Sequence, residues 1–303
     1  IFILLICGEI QLAKVNTNYF WKRLSFEEHV EDVELLITGS SNAFYGIDAN
    51  VFPIKAYNLA NLGSGMFYDE SLLKEYLPRL SKLKNVVLTA NYFTMGTAEE
   101  TYGWRHYFYR NYFNTPVHPN DSLGGALKFI IEPKNYSRLA LFGNEEFLGR
   151  MRNNFTRPMD VIADYSGWYN NGFVGPNKKS LALGKAGALA HNVVTNTSNY
   201  KTNLRYWEKI IPSLQRKGIS VSIAILPTHR EYHMFLDKEK VALLHKALED
   251  FSARNLVTLH DYTKDPRFDA KDYSGSMIDH MNARGARKMS RILSEDILST
   301  IRD

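Results

Sequence analysis

The sequence predicts an α/β fold organised around a parallel sheet of about five strands. Three observations lead there. Short strand-like runs recur at 33–37, 55–60, 85–90, 219–226 and 256–260, and the more apolar of them read as buried strands. Segments with apolar residues at helical spacing separate several of these runs, and strand, helix, strand with short connections means a right-handed parallel unit. Finally, 303 residues with 45% hydrophobic and 23% charged content suffice to build one large α/β domain or two modest ones.

Taken in order, residues 1–7 are apolar, and 11–14 turn polar without a strand turn. Residues 1–25 are therefore expected to be the remnant of a signal peptide or membrane anchor with its lead-in. That would put the protein outside the cytoplasm, anchored at its N-terminus. A single domain is expected over 26–303. Its first strand, 33–37, ends abruptly in Gly39-Ser40-Ser41-Asn42, a tight turn. The second, 55–60, is closed by the glycine-rich stretch 61–65. Over 68–83, Leu72, Leu73, Tyr76, Leu77 and Leu80 fall on one helical stripe, which Pro78 should kink or shorten. The third strand, 85–90, ends at Asn91.

Residues from about 94 to 199 break the alternation. Aromatic rings interleave with cations at 104–113, and small residues run from 183 to 190. This stretch reads as a large helical and loop insertion lying over one end of the sheet. Its rings either pack it against the main domain or stack on sugars. The alternation resumes with a helix over 200–216, broken or bent at Pro212 and stopped by Gly218. A strand at 219–226, an amphipathic helix at 236–254, a strand at 256–260 and a last helix at 282–301 complete the chain. The expected architecture is a flavodoxin-like three-layer sandwich.

Composition excludes several classes of function. The net charge of +5 comes from scattered Lys and Arg, which argues against nucleic acid as a partner. The lone cysteine, Cys7, rules out an internal disulfide and any cysteine-based metal cluster. His229 and His233 stand four apart, the spacing of a helical metal pair. Glu231, however, is not at the general-base position of the zinc-protease motif and no third ligand is evident, so neither metal nor other cofactor is expected. Gly39-Ser40-Ser41-Asn42 also lacks the lysine and glycine spacing of a phosphate loop.

The turn after the first strand is the first candidate for chemistry. In an open α/β sheet, ligands bind just outside the carboxyl ends of the strands, and a serine there stands on rigid backbone facing a crevice. Ser41 is the candidate nucleophile, with Gly39 bending the backbone. A serine needs a base, usually histidine, and His280 is the best placed of the nine. It sits beside Asp279 in the loop that leads into the last helix.

Together, Gly39-Ser40-Ser41 on the first strand, Gly63 after the second, Asn91 after the third and Asp279-His280 before the last helix resemble the four blocks of the SGNH (GDSL-like) hydrolase superfamily. The resemblance covers roughly 33–93 and 200–303. Asp279-His280-Met281-Asn282 followed by Gly285-Ala286 looks closest to members that modify cell-surface polymers by D-alanyl or acetyl transfer. The resemblance implies Ser41 as nucleophile and His280 as general base. It implies an oxyanion held by the backbone amides of Ser41 and Gly63 and the side-chain amide of Asn91. It also implies no cofactor, an acylated carbohydrate or lipid-linked glycan as substrate, and a membrane-bound acyl donor as partner.

Two departures matter. The family's catalytic aspartate usually lies three residues before the histidine, where this chain has Met277. Either the loop bends enough for Asp279 to orient His280, or Asp272 does so, or the pair is a Ser-His dyad; Asp279 is the expected partner. The third block also lacks the Gly-x-Asn-Asp form, and Gly65 competes with Gly63. The function expected is a serine esterase or O-acyltransferase. The alternative is a catalytically inactive binding or scaffolding module for an envelope polymer, which Met277 favours.

Overall fold

The computed structural model describes residues 6–10, 17–98, 104–115, 166–170 and 172–299. Strands β1 (Leu35–Thr38), β2 (Ala56–Asn58), β3 (Asn85–Ala90), β4 (Ser220–Ile225) and β5 (Thr258–Asp261) form one sheet in the order β2-β1-β3-β4-β5. Every pairing is parallel. Beyond the helical residues 6–10, the α-helices among the described residues are, in chain order, α1 (Asn18–His29), α2 (Ser41–Gly46), α3 (Met66–Tyr76), α4 (Tyr92–Gly96), α5 (Trp104–Phe113), α6 (Lys178–Val194), α7 (Ser198–Arg216), α8 (Arg230–His233), α9 (Lys238–Asn255) and α10 (Ala283–Ser299).

The two-residue period of a strand sends neighbouring side chains to opposite faces, and here both faces are covered. Leu36, Val86, Leu88, Val221 and Ile223 point into one core with Phe26, Leu73, Trp207 and Leu248 from α1, α3, α7 and α9. Leu35, Ile37, Val87 and Ala224 point into the other with Phe44 from α2 and Met289 and Leu293 from α10. This is the three-layer sandwich expected from the sequence, and it explains why β1 and β3 are buried along their whole length.

Of the two proline expectations, the shortening at Pro78 is met and the break at Pro212 is not. Pro78 stops α3 outright at Tyr76 rather than kinking a longer helix, as its missing N–H and crowding ring require. Pro212 neither breaks nor stops α7, which is continuous from Ser198 to Arg216. Pro212 is exposed there, so water can satisfy the carbonyl it leaves unpaired, while Leu204, Trp207, Ile211 and Leu214 keep the opposite face buried.

The expected N-terminal membrane anchor is corrected. Among the described residues no helix is long and apolar enough to cross a membrane. The stretch from Asn18 instead forms α1, an amphipathic helix that puts Tyr19 and Phe26 into the core. Of the insertion, residues 116–165 and the side chains of 104–107, Trp104 among them, lie outside the described residues. Within α5, Phe108 stacks on Tyr19 at 4.9 Å and Tyr109 on Tyr68 at 3.9 Å, so those rings are core packing.

Candidate active site

The strand order reverses between β1 and β3, and the carboxyl ends of strands at such a switch point border a crevice. Here the crevice is a cavity of about 350 Å³ whose lining includes Ser41, Gly63, Asn91, Asp279 and His280. The sequence-predicted residues, up to 239 positions apart along the chain, therefore meet in one place.

Each is positioned by its local backbone. After Thr38 the chain turns at Gly39, whose φ is +132°, and a Cβ there would fall 1.8 Å from Thr89 Oγ1. That hydroxyl is held in place by donating to Thr38 O at 2.9 Å, so β1 and β3 are locked at the level where the next residue leaves the sheet. Ser40 is the N-cap of α2 and is 3% exposed. Ser41 is its first residue, half-buried against the cavity, with an amide that has no intrahelical acceptor.

Gly63 occupies the third position of a tight turn closed by Ser64 N donating to Asn61 O at 3.2 Å. Its φ of +63° is the left-handed value that such a turn demands. The preceding carbonyls are pinned from α1. Lys22 Nζ donates to Asn58 O at 2.6 Å and also to Ala60 O, and the Tyr19 hydroxyl donates to Leu62 O at 3.1 Å. Gly65, the competing glycine, is the N-cap of α3 and does not line the cavity.

Asn91 is the N-cap of α4. Its Oδ1 accepts from Thr94 N at 2.9 Å, and its Nδ2 donates to Ser40 Oγ at 2.7 Å. An amide nitrogen carries two hydrogens, so one remains. Ser40 is a neighbour that sequence reasoning passed over, because nothing local marks a cap residue as the support of an asparagine fifty-one positions on.

The loop holding His280 is tightly bent. His280 N donates to Met277 O at 3.0 Å, Ser274 N to His280 O at 2.9 Å, and His229 N to Ile278 O at 3.1 Å. In this turn adjacent side chains converge, and His280 Nδ1 lies 2.9 Å from Asp279 Oδ1. Burial pushes the Asp279 carboxyl up, but the charge and hydrogen bond of His280, with His191 beyond, pull it down further, so it sits below the ordinary carboxylate range. The His280 ring is 7% exposed and meets the Tyr45 ring edge-on at 5.2 Å. Its Nε2 is buried with no hydrogen-bond partner. Asn42 Nδ2 donates to Asp279 O at 2.9 Å, tying this loop to α2.

Asp272, the other carboxylate weighed, is not in the cavity lining. It is fully buried, paired with Lys288 and Arg284, and accepts from Asp269 N at 3.0 Å. His229 Nδ1 caps α8 by accepting from Glu231 N at 3.1 Å. Sequence reasoning missed His191, whose Nδ1 lies 2.5 Å from the Tyr232 hydroxyl at the cavity wall. Burial lowers its pKa, partly offset by Asp279. No local motif announces that pair, since its members come from α6 and α8.

No protein-family model matches the chain, and no curated protein matches it. Among solved structures, a Streptococcus pneumonia chain provisionally described as a platelet activating factor aligns over 97% of this chain and 95% of its own, at 13% identity and a TM-score of 0.42. A likeness at that level carries no argument about chemistry, which rests on the site itself.

Proposed function

We propose that the protein is a serine ester hydrolase or O-acyltransferase of the SGNH type. The observation that carries this reading is the unpartnered, buried Nε2 of His280, in a ring whose other nitrogen is held by Asp279, lining the same cavity as Ser41. Ser41 Oγ attacks the acyl carbonyl while its proton passes to His280 Nε2, and Asp279 stabilises the imidazolium through Nδ1–H. The negative charge that develops on the carbonyl oxygen is met by the Ser41 and Gly63 amides and the remaining Asn91 N–H. Such preorganised donors are each worth about 3–4 kcal/mol in acyl transfer. His280 returns its proton to the departing alcohol, leaving an acyl-enzyme that passes to water or to an acceptor hydroxyl. A carbohydrate is the proposed alcohol component: the half-buried ring of Tyr45, which lines the cavity 5.2 Å from the His280 ring, is suited to contact with a sugar face.

A fluorophosphonate probe tests the assignment. Wild-type protein and Ser40→Ala should be labelled, and Ser41→Ala should not. Labelling lost in Ser40→Ala and kept in Ser41→Ala would name the wrong serine. No labelling of the wild type together with no ester turnover would leave a binding module.

A further inference from the structure

The cavity does not end at the candidate catalytic residues. It continues along the carboxyl edge of the sheet, past the ends of β3 and β4 and under α9, where its walls include Tyr92, Ile225, Leu226, Leu236, Val241 and Leu244, with His233 beside them. Nothing in ester cleavage itself requires an apolar corridor there. At its far side stand Thr263 and the pair of His245 Nδ1 with Asp261 Oδ2, 2.7 Å apart at the end of β5. From β1 to β5 is three strand spacings, about 14 Å, far longer than an acetyl group.

We infer that this corridor is a slot for an aliphatic acyl chain, so that the substrates are esters of medium-length fatty acids rather than acetates. The inference rests on the hydrolase reading above and adds the acyl class. An apolar cavity of about 150 Å³ accommodates a six-carbon benzene ring, so 350 Å³ has room for roughly a dozen heavy atoms by that ratio. With the ester group and the first atoms of the alcohol in place, roughly six to eight carbons fit the tail by the same ratio. The His245–Asp261 pair sets the upper limit, because a longer tail would strip water from an ion pair without replacing its hydrogen bonds.

The test is a p-nitrophenyl ester series from acetate to dodecanoate. kcat/KM should rise about fourfold per added methylene as each is buried, peak near hexanoate to octanoate, and fall beyond. Val241→Phe narrows the slot from a half-buried position. It should shift the optimum to shorter chains and lower the octanoate-to-acetate ratio of kcat/KM. Octanoate should inhibit acetate-ester hydrolysis by the wild type competitively and far better than acetate does, a readout that needs no variant. Acetate preferred over hexanoate, or equal inhibition by the two acids, would overturn the slot while Ser41-dependent hydrolysis stood. Turnover that survives in Ser41→Ala, or no turnover of any ester, would overturn the hydrolase reading and the slot with it.

Discussion

Lys22 is fully buried, yet it carries an amine. Its Nζ lies 4.8 Å over the Phe44 ring and donates to Asn58 O and Ala60 O, the carbonyls that lead into the Gly63 turn. Replacing it with Met keeps the length and apolar stem and removes both donors. Each buried carbonyl left unpaired costs about 1–3 kcal/mol. Recovered burial of the methionine offsets part of that, so near pH 10 Lys22→Met should lose about 2–4 kcal/mol and about 3–6 °C in Tm. Burial also holds the Lys22 amine well below its ordinary range, while the unfolded chain keeps a lysine near 10.4. Between the depressed value and about pH 10 the unfolded state therefore binds a proton that the fold does not, and stability rises with pH. As pH falls from about 10.4 through the folded value, that increment is lost. Even uncharged, the amine keeps two N–H donors, one for each carbonyl. Thermal and denaturant unfolding of wild type and Lys22→Met from neutral pH to about pH 10 should diverge, with only the wild type gaining. Parallel curves for the two proteins would refute the titration argument. Unchanged stability at about pH 10 and above, where the amine is uncharged in both states, would refute the donor argument.

Asp279→Asn should keep the fold and lower kcat/KM by up to about 10⁴, the cost of losing the group that fixes the tautomer of a catalytic histidine. Because the Asp279 carboxyl is held below its ordinary range by His280, its contribution to stability is present above about pH 4. That contribution disappears as pH falls through the lower folded value, so acid-unfolding curves of the asparagine variant should be flatter on that limb. Gly39→Ala should lose more than about 2 kcal/mol from left-handed strain and collision together, because its Cβ would lie 1.8 Å from Thr89 Oγ1. Gly39→Ala with Thr89→Ala should recover part of that loss in chemical denaturation, the remainder being the strain at φ +132°.

The sheet was legible because its information is local. The run 85–90 is buried at every position, and only a strand with helices on both faces can use such a sequence. The same locality misled at the N-terminus, where α1 hides its purpose. A lysine in a sequence reads as surface, and nothing short of the packed β2 and its loop shows that Lys22 is interior. Pro212 shows the complementary limit: a proline in a helical pattern predicts a break, but its exposure and the buried stripe behind it decide otherwise. Within the candidate site, Ser41, Asn91 and His280 stand where chain direction changes, so turn residues announce them. The Ser40–Asn91 and His191–Tyr232 contacts join distant segments and leave no periodic trace.

The position of the acid beside His280 turns on backbone geometry rather than on spacing along the chain. In an extended loop, adjacent side chains diverge, and a carboxylate that orients a histidine has to come from a few residues away. Here the turn from Met277 to His280, closed by an i to i+3 hydrogen bond, brings neighbours together and makes Asp279 the nearest acid. Met277 then need not be a carboxylate; it is 39% exposed and lines the cavity. Asp272 could not substitute without giving up its pairing with Lys288, the charge partner of a fully buried carboxylate. The turn is in turn fastened to α2, since the carbonyl of the same Asp279 accepts from Asn42, the residue after Ser41. One aspartate thus faces two ways, its carboxylate toward the imidazole and its carbonyl toward the helix that begins with the nucleophile candidate. Asp279→Asn removes the first connection and keeps the second, so a loss of turnover in that variant reports on the carboxylate alone.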